Sequence, residues 1–216
     1  MGGWNSAAHD GPRMTECVAA PVSNAVNQSV AALLALLRAG EISAEQAFHR
    51  IGTRLTTTEL AFATPELERL AAEERQHDNL LAAHAALLPA AAIADRHSRR
   101  FFLRLESRVP RLHLSRVAAL DGAVTRLLAH ALTPSVCQLL GAPLVSTLQR
   151  IRADEGRHVR IARQLALALG SAPQELAQVS GEVRQDFAAL LGSREAAFTS
   201  LGIDTGALLA HICRGA

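Results

Sequence analysis

Apolar residues recur every three or four positions through most of the 216-residue chain, the period of a helix face rather than the alternation of a strand. The first stripe, over Gln28 to Arg38, consists of Val30, Leu33, Leu34 and Leu37. Gly40 interrupts it, and Ser43 with Gln46 forms a capping box, which predicts that a helix restarts there. One long helix through Gly40 is the alternative, because Leu34, Leu37, Glu41, Glu45, Phe48 and Leu55 share a stripe. Thr64-Pro65 opens a second helix, with Leu67, Leu70, Glu74, His77, Leu81, His84 and Leu88 inward. Pro89 to Arg111 reads as a long connection with a helix of its own through Phe101, Phe102 and Leu105. A third helix carries Leu114, Val117, Asp121, Val124 and Leu128, and Pro134 ends it. The fourth runs from about Pro143 to Leu169, where Gly170 stops it, with Leu148, Ile151, Glu155, His158, Ala162 and Leu165 inward. Two further helical stretches are predicted over 174–191 and 194–212.

The prediction is therefore an all-α chain: a flexible tail over 1–28 and one helical domain over 29–216. Within it, a four-helix bundle spans 43–169, with a long crossover between its second and third helices, and short helices fill 171–216. What breaks the apolar stripes is chemical. Glu73-Glu74-Arg75-Gln76-His77 on the second helix is repeated in type as Asp154-Glu155-Gly156-Arg157-His158 on the fourth. Residues i and i+3 share a helix face, so each Glu-x-x-His presents a carboxylate and an imidazole to one point. A further carboxylate lies one hairpin's length upstream of each motif, Glu45 before the first and Asp121 before the second. The segments around them align, Glu45-Gln-Ala-Phe-His-Arg-Ile51 with Asp121-Gly-Ala-Val-Thr-Arg-Leu127. Glu41, one turn before Glu45 on the same stripe, is the competing first-helix acid. His49 and His84 are either additional ligands or ordinary capped side chains.

This constellation resembles the ferritin-like di-iron carboxylate proteins, and among them the non-haem di-iron oxygenases; the likeness covers residues 43–169. The resemblance implies two iron ions, with manganese or a mixed pair as variants, and O2 as co-substrate. It implies that Glu74 and Glu155 bridge the metals, that Glu45 with His77 completes one metal's shell, and that Asp121 with His158 completes the other's. It further implies that each preceding acid orients the histidine of the opposite half, Asp154 holding His77 and Glu73 holding His158. In this family the third-helix ligand is usually Glu, so Asp121 is one methylene short. Thr125, one turn beyond Asp121, resembles the hydroxyl that assists O2 activation in di-iron oxygenases; packing alone is the other reading. Gly122 and Gly156 beside the ligands suggest room for a substrate.

Composition narrows the function classes. A net charge of +2 is too small to imply nucleic acid, although Arg99, Arg100, Arg104, Arg108 and Arg111 cluster in the crossover. All basic residues are Arg, which excludes lysine Schiff-base chemistry, and the lack of Tyr excludes a tyrosyl radical. Cys17, Cys137 and Cys213 form no Cys-x-x-Cys pair, which excludes a rubredoxin-type iron module and suggests a reducing, cytoplasmic setting. Trp4 sits in the tail, and no apolar run suits a membrane span. The expected function is an O2-dependent di-iron oxidoreductase, monooxygenase-like, acting on a small organic molecule by hydroxylation, N-oxygenation or desaturation in a biosynthetic or tailoring pathway. The resemblance leaves room for an external electron donor and for a homodimer. A ferroxidase or peroxide-handling protein, a tRNA hydroxylase and a metal-free helical interaction module are the alternatives.

Overall fold

A computed structural model describes residues 23–56, 60–88 and 96–214, and among these there is no strand. The elements are α1 (Asn24–Leu55), a 3-10 turn at Ala61–Ala63, α2 (Thr64–Ala85), α3 (Arg96–Leu105), α4 (Pro110–Ala131), α5 (Pro134–Leu140), α6 (Ala142–Ala168), α7 (Pro173–Gly192), α8 (Glu195–Ser200) and α9 (Thr205–Cys213). Of the expected tail, residues 1–22 lie outside the described residues, while 24–28 form the start of α1 under a cap from Ser23, whose hydroxyl accepts from the Val26 amide. Proline occupies the first turn of α2, α4, α5, α6 and α7, where its missing N–H costs nothing and its fixed φ suits the helix.

Two boundaries differ from the pattern. The first two stretches are one helix of 32 residues, and the Ser43–Gln46 box is not used as a cap. Gly40 is tolerated because the rest of α1 has a continuous buried face; a Cβ there would meet the Phe102 ring at 3.7 Å. Near the carboxyl end, the single stretch expected over 194–212 is two helices. Gly202, at φ +72°, turns the chain between them, and the Asp204 side chain accepts from the Ala207 amide to cap α9.

α1 packs against α2 and α4 against α6, so the bundle is two antiparallel hairpins, with α3 crossing between them and α7–α9 closing one side. The apolar interior is in two parts. One holds Val30–Leu37 of α1, Leu81 of α2, Leu120–Leu128 of α4 and Leu144–Ile151 of α6, together with α3, α7 and α9 side chains. The other holds Ala44–Leu55, Leu67–Ala71, Leu114–Ala118 and Ala162–Ala166. Along each of the four bundle helices the crossing point between these parts is a polar residue: Glu41, Glu74 with His77, Asp121, and Glu155 with His158, all buried. A polar layer thus cuts the core at mid-height.

Candidate metal centre

Buried charge is costly unless it is paired or coordinated, so this layer must be accounted for atom by atom. Two groups of donors lie within 4.8 Å of one another: Glu41, Glu74, His77 and Glu155, and Glu74, Asp121, Glu155 and His158. Glu74 and Glu155 belong to both. Glu74 Oε2 lies 3.5 Å from His77 Nδ1 and its Oε1 lies 2.8 Å from His158 Nδ1. Glu155 repeats this, with Oε1 3.9 Å from His77 Nδ1 and Oε2 3.8 Å from His158 Nδ1. Each carboxylate therefore offers one oxygen to each histidine side of the layer, the arrangement two adjacent cations require. The imidazoles stack with centroids 5.8 Å apart.

Each ring is held from behind by the opposite hairpin. His77 Nε2 donates to Asp154 Oδ2 at 3.2 Å, and His158 Nε2 donates to Glu73 Oε2 at 3.0 Å. The crosswise contacts implied by the resemblance are present. Arg157 joins the two acids, donating to Glu73 at 2.6 Å and to Asp154 at 3.0 Å, and Arg69 adds a second contact to Glu73 at 2.6 Å. With Nε2 occupied as a donor, the Nδ1 of each ring is the atom turned to the carboxylates.

The donor set fits a pair of divalent cations. Glu74 Oε1 and Oε2, Asp121 Oδ2, Glu155 Oε2 and His158 Nδ1 are buried without a hydrogen-bond partner. Glu74 Oε1 and His158 Nδ1 lie at hydrogen-bond distance but are not aligned to bond, as expected of lone pairs aimed at a common point. Burial and neighbouring carboxylates push the acids of Glu41, Asp121 and Glu155 well above their ordinary range. Burial also opposes the charge on Glu74, but the contacts from His158 and His77 outweigh it and hold Glu74 at about 2. Burial would lower His77, yet Glu41 and Glu74 raise it to about 10. Protons thus take the place of positive charge that the layer demands. If all four carboxylates ionise, two divalent cations match their charge. Hard oxygen donors with two imidazoles and no thiolate suit iron or manganese.

The expected first-helix ligand needs correction. Glu45 is not in the layer; it forms an ion pair with Arg75 at 2.6 Å and keeps part of its side chain exposed. Glu41 takes the place beside His77, its Oε2 accepting from Nδ1 at 3.2 Å, and it is 4% exposed. One turn of helix decides the matter: Glu41 lies between the two apolar parts, whereas Glu45 falls beside Ala44 and Ala47 and turns outward. The spacing held the signal. From Glu41 to Glu74 the separation is within one residue of that from Asp121 to Glu155; from Glu45 it is shorter by more than a turn.

Thr125 also lies elsewhere. Its hydroxyl donates to the Asp121 carbonyl, and its side chain borders an outer cleft with Gln149, Arg152 and Ala153. Val124 is the residue of that turn which borders the cavity next to the carboxylates. Nor do Gly122 and Gly156 make room for a ligand at the layer. Gly122 borders a separate cleft, and nothing lies within 4 Å of a Cβ added at Gly156. Gly40 is the glycine at the cavity. His49 pairs with Glu68 at 3.0 Å and His84 meets the Thr147 hydroxyl at 2.9 Å, so neither joins the cluster. The cavity is small, about 20 Å³, and its remaining walls are apolar, among them Leu36, Leu37, Phe102 and Phe187. Among the described residues, no helix is long and apolar enough to cross a membrane.

No family model matches the chain, and no curated protein matches it in sequence. Among solved structures, it is similar to a protein with aldehyde deformylating oxidase activity from Synechococcus. The two share 19% identity over 88% of this chain and 87% of that one, with a TM-score of 0.71. The fold is thus a ferritin-like helical bundle.

Proposed function

We propose that this chain holds two iron ions between its hairpins and is an O2-dependent oxidoreductase acting on an organic molecule. The observation that carries the proposal is that Glu74 and Glu155 each present one oxygen to each histidine, inside a buried layer of four carboxylates and two imidazoles. Glu41 and His77 would complete the shell of one ion, and Asp121 and His158 that of the other. An iron pair held there would bind O2 and deliver electrons to it.

The protein's own contribution is position, dryness and proton placement. Asp154 and Glu73 fix the Nε2 protons, leaving both Nδ1 atoms free to ligate. Leu36, Leu37, Phe102 and Phe187 keep bulk water from the cavity side, which strengthens every electrostatic contact within it. Oxidation of the substrate, by oxygen insertion or by hydrogen removal, draws further electrons from a reductant outside the chain. Aldehydes belong among the candidate substrates because the structurally similar protein is an aldehyde deformylating oxidase.

One observation favours a second reading. A cavity of about 20 Å³ holds little more than a water molecule, which suits a ferroxidase or peroxide-handling protein that admits only small species. Stopped-flow absorbance with iron in large excess separates the two. An oxidoreductase acting on an organic molecule reacts once per iron pair, and its decay quickens with the right substrate. Many turnovers of iron with no organic compound would overturn the proposal.

A further inference from the structure

The cavity beside the carboxylates and a much larger groove outside it share a wall, the ring of Phe102. The inner space, at about 20 Å³, cannot admit an organic molecule. The outer groove between α1 and α3 measures about 450 Å³, a size typical of small-molecule sites. We infer that this groove binds an apolar chain with an anionic head, and that Phe102 is the gate through which the chain's apolar end reaches the carboxylate layer. The inference rests on the oxidoreductase reading above.

The groove's surface is unusual for an exposed face. Ile42 is 39% and Leu103 65% exposed, and both line it together with Ala35 and Ala39. Adjacent exposed apolar side chains of this kind mark contact with something apolar. At the rim stand Arg38 and Arg99. Arg38 is neutralised by Asp78 at 2.7 Å and Glu106 by Arg50 at 2.8 Å, whereas Arg99 projects exposed from α3. An anionic head at Arg99 would leave the tail among Ala35, Ala39 and Ile42, in the groove that Phe102 also lines.

The gate is built from two features. Phe102 touches Phe101 edge-on, with centroids 5.1 Å apart, while Phe101 packs on Phe187 in the core behind it. Phe101 is therefore anchored on two rings, and Phe102 is the outer one of the three. Opposite it, Gly40 supplies no side chain, and a Cβ there would already be in van der Waals contact with the ring at 3.7 Å. Rotation of this single ring joins the groove to the cavity bordered by Glu41, Glu74, Asp121 and Glu155.

Calorimetric titration of the full chain with decanoate and with decan-1-ol tests both parts. Phe102→Ala should bind decanoate about tenfold more tightly than the wild type, because the chain no longer displaces a ring. Phe102→Leu, which keeps the core better filled, should shift the same way by less. Arg99→Ala should weaken decanoate about three- to fivefold, as for a half-screened ion pair, and leave decan-1-ol unchanged. Equal decanoate affinity in the wild type and both Phe102 variants, measured below the melting midpoint of each, overturns the gate. An equal loss for both ligands in Arg99→Ala overturns the anionic head, and no wild-type binding of decanoate overturns the groove. Iron titration of the same samples separates the two inferences. Decanoate binding by a chain that takes up no iron removes the oxidoreductase reading, whereas two irons with no decanoate binding removes this one.

Discussion

The α1–α2 hairpin and the α4–α6 hairpin build the same half-site by different routes. In α4–α6 the candidate donors are Asp121, Glu155 and His158, and the acid that repeats the motif, Asp154, reaches across to His77. In α1–α2 it is Glu41, Glu74 and His77, with Glu73 reaching back to His158. The side-chain length at the upstream position differs, and so does its surrounding sequence. Glu41 lies in Ala-Gly-Glu-Ile, which has no counterpart around Asp121, while the segment that does align carries Glu45 to the surface. What the two hairpins share is depth in the bundle. A helix stripe returns after about one turn, so two acids four residues apart look alike in periodicity, yet they reach different layers and here the second turns outward.

The strongest way to break the equivalence is to remove a shared carboxylate. Glu74→Ala or Glu155→Ala should abolish binding of a metal pair and lower any O2-dependent activity by at least about a hundredfold, comparable to losing a principal catalytic donor. Metal analysis after anaerobic loading checks this. Next comes the acid on which the hairpins differ. Glu41→Ala should lose one metal equivalent, while Glu45→Ala keeps both and changes stability by less than about 1 kcal/mol, as expected for a partly exposed ion pair. The reverse result would restore the alignment-based choice.

Smaller effects are expected behind the rings. Glu73→Gln and Asp154→Asn should each weaken metal binding by about 10–100-fold without abolishing it, because the imidazoles lose their orienting acceptors. Competition titrations against a chelator read this out, and similar losses from the two would show that the halves are matched there.

The mildest prediction concerns the metal-free protein. Glu41, Asp121 and Glu155 have folded-state pKa values raised above their ordinary 4.5, 3.8 and 4.5. Such groups stabilise the fold at pH below those ordinary values and cease to do so as pH rises through the folded ones. His77, raised from 6.5 to about 10, adds stability that is complete below 6.5 and lost as pH climbs through 10. Glu74, held at about 2, acts oppositely, contributing above 4.5 and losing that contribution as pH falls towards 2. The melting temperature of the metal-free chain should therefore decline from about pH 5 towards pH 10, and loading with metal should flatten that decline. A metal-free melting curve that rises over this range would contradict the assignment of the layer.

Much of this was legible in the chain because the candidate donors replace Leu and Ile at stripe positions. Glu74, His77, Asp121, Glu155 and His158 stand where Leu67, Leu70, Leu114, Leu148 and Ile151 set the face, so periodicity alone turned them inward. The paired acids Glu73 and Asp154 were visible as a repeat, and the bundle puts each beside the opposite histidine. Three things were hidden. Gly40 with a capping box looked like a break, because local propensity cannot register the continuous buried face that carries α1 through it. Thr125 looked inward, but at that turn Val124 holds the cavity wall and the hydroxyl satisfies itself on the Asp121 carbonyl. Phe102 belonged to a crossover whose placement depends on tertiary contact, so nothing in its own segment pointed to the cavity.

The most direct test is anaerobic titration of the wild-type chain and of Glu41→Ala with Fe(II), followed by Mössbauer spectroscopy after oxidation. Two duplicated half-sites meeting at Glu74 and Glu155 predict two irons per wild-type chain, magnetically coupled through shared ligands, and one uncoupled iron in Glu41→Ala. One iron or none in the wild type, or two that show no coupling, would contradict the account.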